Sequence, residues 1–140
     1  MEYTIVPNGY VSNVLPKIVH HLNDLVEITD GRCALDDVLL DVLNGTCLLW
    51  LAFDETTPDK DIYGLVVTKI AHYPRMKCTH VVYCAGREMD LWLGGMVDIV
   101  KRWARDNACA RIEFVGRKGW TKVLAPHGAR VTHYHFVADL

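Results

Sequence analysis

The chain has 140 residues, enough for one domain whose core removes roughly two-thirds of the extended surface from water. With 51% hydrophobic and only 23% charged residues it is neither disordered nor fibrous. A net charge of −2 with no run of lysine or arginine excludes the basic footprint needed to hold nucleic acid or an anionic membrane.

In chain order, Glu2 to Val6 is a short β-branched segment closed by Pro7-Asn8-Gly9, which predicts a strand and a turn. From Val14 to Ile28 the residues Leu15, Ile18, Val19, Leu22, Leu25 and Val26 keep a helical period, with Ser12 or Asn13 as cap and Pro16 tolerated in the first turn. Thr29-Asp30-Gly31 breaks that helix, and Leu35 to Leu43 predicts a second one, ended by Asn44-Gly45.

Cys47 to Phe53 is a nearly continuous apolar run, which suits a central strand covered on both faces. It is far too short to span a bilayer. The loop Asp54 to Lys60 leads into a hairpin strand, Ile62 to Tyr73, in which Gly64 predicts a bulge. After Arg75-Met76-Lys77, Thr79 to Ala85 is a further strand ended by Gly86.

From Asp90 onward Trp92, Leu93, Met96, Ile99, Val100 and Trp103 recur at steps of three and four, with Asp98, Lys101, Arg102 and Arg105 between them. This is a long helix with one buried stripe, with Asp90 as its expected N-cap. Cys109 to Val115 alternates as a strand, so strand, helix and strand form a right-handed βαβ unit. Gly116 and Gly119 bracket a turn, Trp120 to Leu124 makes a short helix stopped by Pro126 and Gly128, and Val131 to Val137 is the last expected strand.

Five cysteines, an odd number without a C-x-x-C pair, read as free thiols, and the opening MEYTIVPNGY has neither a basic nor an apolar leader region. A reducing cytosolic location is the expectation.

A strand, a long helix ending Trp103-Ala104-Arg105-Asp106-Asn107, a strand, a short helix, a glycine and a final strand together resemble the GNAT N-acetyltransferases. The resemblance covers nearly the whole chain and rests on element order. It implies a single domain over residues 1–140 of α/β class. The implied architecture is a three-layer fold with a mixed, mostly antiparallel twisted sheet of six to seven strands and about four helices. It further implies that the first two helices form part of an acceptor wall, and that the pyrophosphate of acetyl-CoA sits on bare backbone N–H groups at the start of the long helix.

The family signature R/Q-x-x-G-x-G/A is absent. Counting back from Trp103 puts Glu88 at its first position and Leu91 and Leu93 at the glycines; starting from Arg87 puts Asp90 and Trp92 there. In either register bulk and negative charge fall where the phosphates belong. Gly94-Gly95 comes one turn late and reads as close helix–sheet packing. Four residues before Gly128, where many GNAT enzymes carry a proton-donating tyrosine, stands Leu124, and the family's asparagine position holds Arg117.

The resemblance thus implies a catalytically degenerate GNAT-fold protein with no catalytic residue, no cofactor and no metal. It would work through protein–protein contacts, as a homo-oligomer or with other virion proteins, like the GNAT-like proteins encoded among bacteriophage structural genes. Leu91, Trp92, Leu93, Arg117, Lys118 and Trp120 are its candidate contacts. The alternative is an acetyl-CoA-dependent N-acetyltransferase with an atypical pyrophosphate loop, its cofactor met by backbone from Tyr83, Cys84, Ala85, Gly86 and Arg87, with water as proton donor.

Other pairs read more plainly. His133 and His135 share a face of the expected last strand, His20 and His21 are surface residues, and Cys84 and His80 share a strand face about 13 Å apart, too far for a nucleophile and base.

Overall fold

The computed structural model describes residues 1–140. Five strands, β1 (Glu2–Ile5), β2 (Cys47–Phe53), β3 (Ile62–His72), β4 (Lys77–Gly86) and β5 (Arg111–Phe114), form one sheet in the order β1-β2-β3-β4-β5. The first three pairings are antiparallel and β4–β5 is parallel. The helices are α1 (Val11–Ile18), α2 (Leu25–Ile28), α3 (Leu35–Leu43), α4 (Leu93–Asp106) and α5 (Trp120–Leu124).

Alternation along the strands sorts the core into two clusters. Cys47, Leu49 and Leu51 of β2 with Leu65 and Val67 of β3 meet α1, α2 and α3 through Ile18, Leu25 and Val42. Their neighbours Trp50, Ala52 and Val66 point the other way, to Leu93, Met96 and Val100 of α4. The sheet is therefore covered on both faces, as the continuous apolar run of β2 requires, and the expected three-layer α/β architecture stands.

Several expectations are corrected. The sheet has five strands, because Ala129 to Leu140 adopts no regular structure. The first helix is interrupted by a 3-10 turn, Val19–Leu22, and by Asn23-Asp24, short polar residues that compete for backbone groups. The apolar period survives this break, since Ile18, Leu22 and Leu25 all stay buried. A 3-10 turn, Met89–Leu91, precedes α4, so Trp92 instead of Asp90 occupies the N-cap position. The bulge near Gly64 falls at Tyr63, where pairing passes from Ala52 with Gly64 to Phe53 with Ile62. No helix is long and apolar enough to cross a membrane.

Candidate functional site

The parallel pairing of β4 with β5 stops at Val81 with Phe114, while β4 runs on to Gly86 paired to β3 alone. Beyond that point the two strands part. The register against β3 also slips there, from Thr68 with Val81 to Val67 with Tyr83, leaving Val82 as the extra residue of a bulge. The splay opens a cavity of about 250 Å³, lined chiefly by Val82, Tyr83, Cys84, Phe114, Arg117 and Trp120. Gly116 sits between Phe114 and Trp120, where a Cβ would lie 2.4 Å from the Phe114 ring; its absence lets the two rings meet edge to face at 5.2 Å.

Arg87 donates its backbone N–H to the carbonyl oxygen of Tyr63 at 2.8 Å. By antiparallel alternation Ala85 and Tyr83 likewise face β3, so the main-chain groups of Cys84 and Gly86 face the splay, where β5 no longer pairs with them. Of the segment Tyr83–Arg87 singled out in the sequence, Tyr83 and Cys84 form one wall of the cavity, and the main-chain edge of Cys84 and Gly86 runs on past it without a strand partner.

The side chains of that wall do not exchange protons near neutral pH. Tyr83 donates its hydroxyl to the carbonyl oxygen of His21 at 2.6 Å, and burial pushes its pKa up to about 12. Burial likewise pushes the Cys84 thiol up to about 12. His21 is half-buried, not a plain surface residue: its Nε2 has no partner, and burial first, then the neighbouring His20, lowers its pKa. Leu124 is half-buried against the α4 cluster and supplies no proton.

At the start of α4 the steric expectation is corrected. Trp92 is 0% exposed and Leu93 is buried, so both side chains point into the core and neither is available as a partner contact. The indole of Trp92 donates to the carbonyl oxygen of Arg87 at 2.9 Å and its ring covers Gly64 and Gly86, where a Cβ would stand 2.1 and 2.6 Å from it. What reaches the surface is Leu91, 54% exposed, with the carboxylates of Glu88 and Asp90. Arg87 lies over the Tyr63 ring at 4.1 Å and pairs with Glu88 at 3.2 Å. The N–H groups of Leu93, Gly94 and Gly95 find no backbone acceptor, since the first helical bond is from Met96 to Trp92. Arg117 and Lys118 are exposed and Trp120 is half-buried, at the other lip of the splay.

One polar group escaped the sequence reading. Glu113 accepts a hydrogen bond from Tyr73 at 2.5 Å and is 3.1 Å from Nδ1 of His80. The Val82 bulge shifts the parity of β4, so Val81 and Cys84 both pack toward α4. His80 therefore lies on the opposite face from Cys84, which corrects the expectation that they share one. The alternation of β5 already set Glu113 away from α4; the parallel register that brings it to His80 has no local signal. His133 and His135 lie in an exposed irregular segment instead of a strand, with Nε2 of His135 3.2 Å from Arg32.

No protein-family model matches the sequence, and no curated protein is significantly similar to it. Solved structures are similar over the full length. A probable acetyltransferase superposes with a TM-score of 0.76 at 12% identity, covering 100% of this chain and 98% of the other. A predicted acetyltransferase from Clostridium acetobutylicum, solved with acetyl-CoA, gives 0.70 at 14% identity, with 99% and 95% covered. A Trypanosoma brucei acetyltransferase gives 0.67 at 13%, with 99% of each chain covered.

The fold is that of the GNAT acetyltransferases. In this chain the splay between β4 and β5 holds the cavity of about 250 Å³ beside an unpaired backbone edge.

Proposed function

We propose that this chain takes the acyl-pantetheine arm of acetyl-CoA into the splay between β4 and β5 and passes the acetyl group to an amine. The observation that carries this reading is the main-chain edge of Cys84 and Gly86, left without a strand partner where β4 runs past a cavity of about 250 Å³ that Cys84 lines. Unpaired backbone groups in such a slot are costly unless something pairs with them, and the amides of a pantetheine arm supply donors and acceptors of the right kind. The inward turn of Trp92 and Leu93 leaves the mouth of the slot less crowded than the sequence implies. The bound thioester would supply the acyl group; Tyr83 to Arg87 would hold it through backbone. His80, fixed by Glu113 on the face away from α4 and two residues before the bulge, is roughly 7 Å along the strand from it, where an incoming amine could lose a proton.

A second reading is favoured by the charge at the mouth. Glu88 and Asp90 repel a diphosphate, exposed Leu91 is an unspent apolar contact, and Leu124 removes the proton donor. In this reading the fold works by protein–protein contact, as in a bacteriophage virion or assembly component.

Thermal denaturation with and without acetyl-CoA separates the two. Ligand at about 100 times its Kd stabilises by about 2.7 kcal/mol, a rise of several degrees, whereas a pure contact protein shows none. Release of free CoA thiol with a panel of amines then tests the transfer itself.

A further inference from the structure

A groove of about 400 Å³ runs between α1 and the loop joining β2 to β3, lined chiefly by Lys17, His20, Asp59, Lys60, Asp61 and Arg87. It shares no lining residue with the cavity in the splay. Its charges are of both signs, yet Lys17 and Lys60 form no ion pair with Asp59 or Asp61. The three cations Lys17, Lys60 and Arg87 are balanced by Asp59, Asp61 and the Glu88 that pairs with Arg87 at 3.2 Å. A balanced groove has little pull on a simple anion or a simple cation; what it can favour is a ligand that carries both charges.

The two banks are held in place. The Thr57 carbonyl oxygen accepts the Lys60 N–H at 3.1 Å, and the Thr57 hydroxyl accepts the Asp61 N–H at 2.8 Å and donates to the Asp54 carbonyl oxygen at 3.0 Å. This is a tight turn through Pro58 and Asp59, followed by Lys60 at φ 49°, a position that hairpin loops ordinarily give to glycine. Glu88, which follows Arg87, stands at φ 49° as well. Two charged side chains are thus kept where glycine would carry no strain, the kind of backbone that gathers at ligand clamps. The Arg87 guanidinium is braced by the Tyr63 ring at 4.1 Å.

We propose that this groove binds a small zwitterion, a free α-amino acid with a polar side chain. Arg87, Lys60 and Lys17 take its carboxylate, and Asp59 and Asp61 take its ammonium. Ile62 and Pro16 are the only apolar surfaces of the lining, so the ligand's side chain is polar too. The volume is that of a small-molecule site. The proposal is independent of what enters the splay.

The test is an NMR titration of the full chain with L-glutamine, N-acetyl-L-glutamine and L-glutaminamide, which carry both charges, the carboxylate alone and the ammonium alone. L-glutamine should shift the amides of Lys17, Lys60, Asp61 and Arg87 along one saturating curve, and each singly charged probe should bind at least about 10-fold more weakly. Lys60→Gly removes a cation and suits a backbone at φ 49°, so the variant keeps its fold while its affinity for L-glutamine falls about 10-fold. No saturation with L-glutamine at tens of millimolar, equal binding of either singly charged probe, or unchanged binding by Lys60→Gly each overturns the proposal. None of these outcomes depends on whether acetyl-CoA binds.

Discussion

Trp92 and Gly64 occupy one another's space: a single Cβ at Gly64 would stand 2.1 Å from the indole ring. The ring is completely buried, and its N–H ties the turn after β4 to the carbonyl of Arg87 at 2.9 Å. Gly64→Ala should therefore destabilise the fold by about 1–3 kcal/mol through overpacking, and Trp92→Ala by about 3–5 kcal/mol through the cavity it leaves. Urea midpoints check both. An unchanged midpoint for Gly64→Ala would mean that the indole lies elsewhere.

A second close approach tests the seating of α4. At Gly95 a Cβ would meet the Tyr3 hydroxyl oxygen at 2.2 Å, while that hydroxyl donates to the carbonyl oxygen of Trp92 at 3.1 Å. Gly95→Ala should cost about 1–3 kcal/mol despite alanine's better helix propensity. With Tyr3→Ala in the background the cost of Gly95→Ala should largely vanish, giving a clear coupling in a double-mutant cycle.

How far the residues announce this structure depends on how local the cause is. The stripe Leu93, Met96, Val100 and Ala104 is visible in sequence because helical period and burial coincide, and the alternation of β2 and β3 needs only the pleat. The direction of Trp92 is not visible, since it depends on Gly64 and Gly86 being paired across β3 and β4 and so leaving a trough for the ring. Nor is the Val82 bulge, which puts Cys84 on the face away from His80, nor the parallel register that brings His80 to Glu113. Val131 to Val137 carries a legible strand pattern, yet pairing is a property of two strands, and in this chain the segment lies along none of the five.

Alkaline pH should ionise the Cys47 thiol of the β2 core together with the Cys84 thiol and Tyr83 phenol of the slot. Burial raises Cys47 from 9.0 to about 11, Cys84 from 9.0 to about 12 and Tyr83 from 10.0 to about 12. Each keeps its proton in the folded chain after the unfolded chain has lost it, so stability is complete below about pH 9 and falls as pH rises toward 12. Chemical denaturation across this window should show the decline, and Cys47→Ala/Cys84→Ala should flatten its beginning.

On the opposite face, the Glu113 carboxylate accepting the Tyr73 hydroxyl raises the pKa of that phenol above 10.0. Glu113→Gln removes the charge that disfavours the phenolate, so the Tyr73 titration followed by ultraviolet absorbance should move down. Tyr73→Phe should remove the same titration, which assigns it.

The use of the splay is tested most directly at its backbone. On titration with acetyl-CoA, the amide resonances of Cys84 and Gly86 should shift and saturate together, because their main-chain groups lie on the unpaired edge that faces the splay, while amides in β1 stay still. Cys84 and Gly86 resonances that remain unmoved at millimolar acetyl-CoA would contradict the acyl-donor slot and leave the exposed mouth around Leu91 as a surface for another protein.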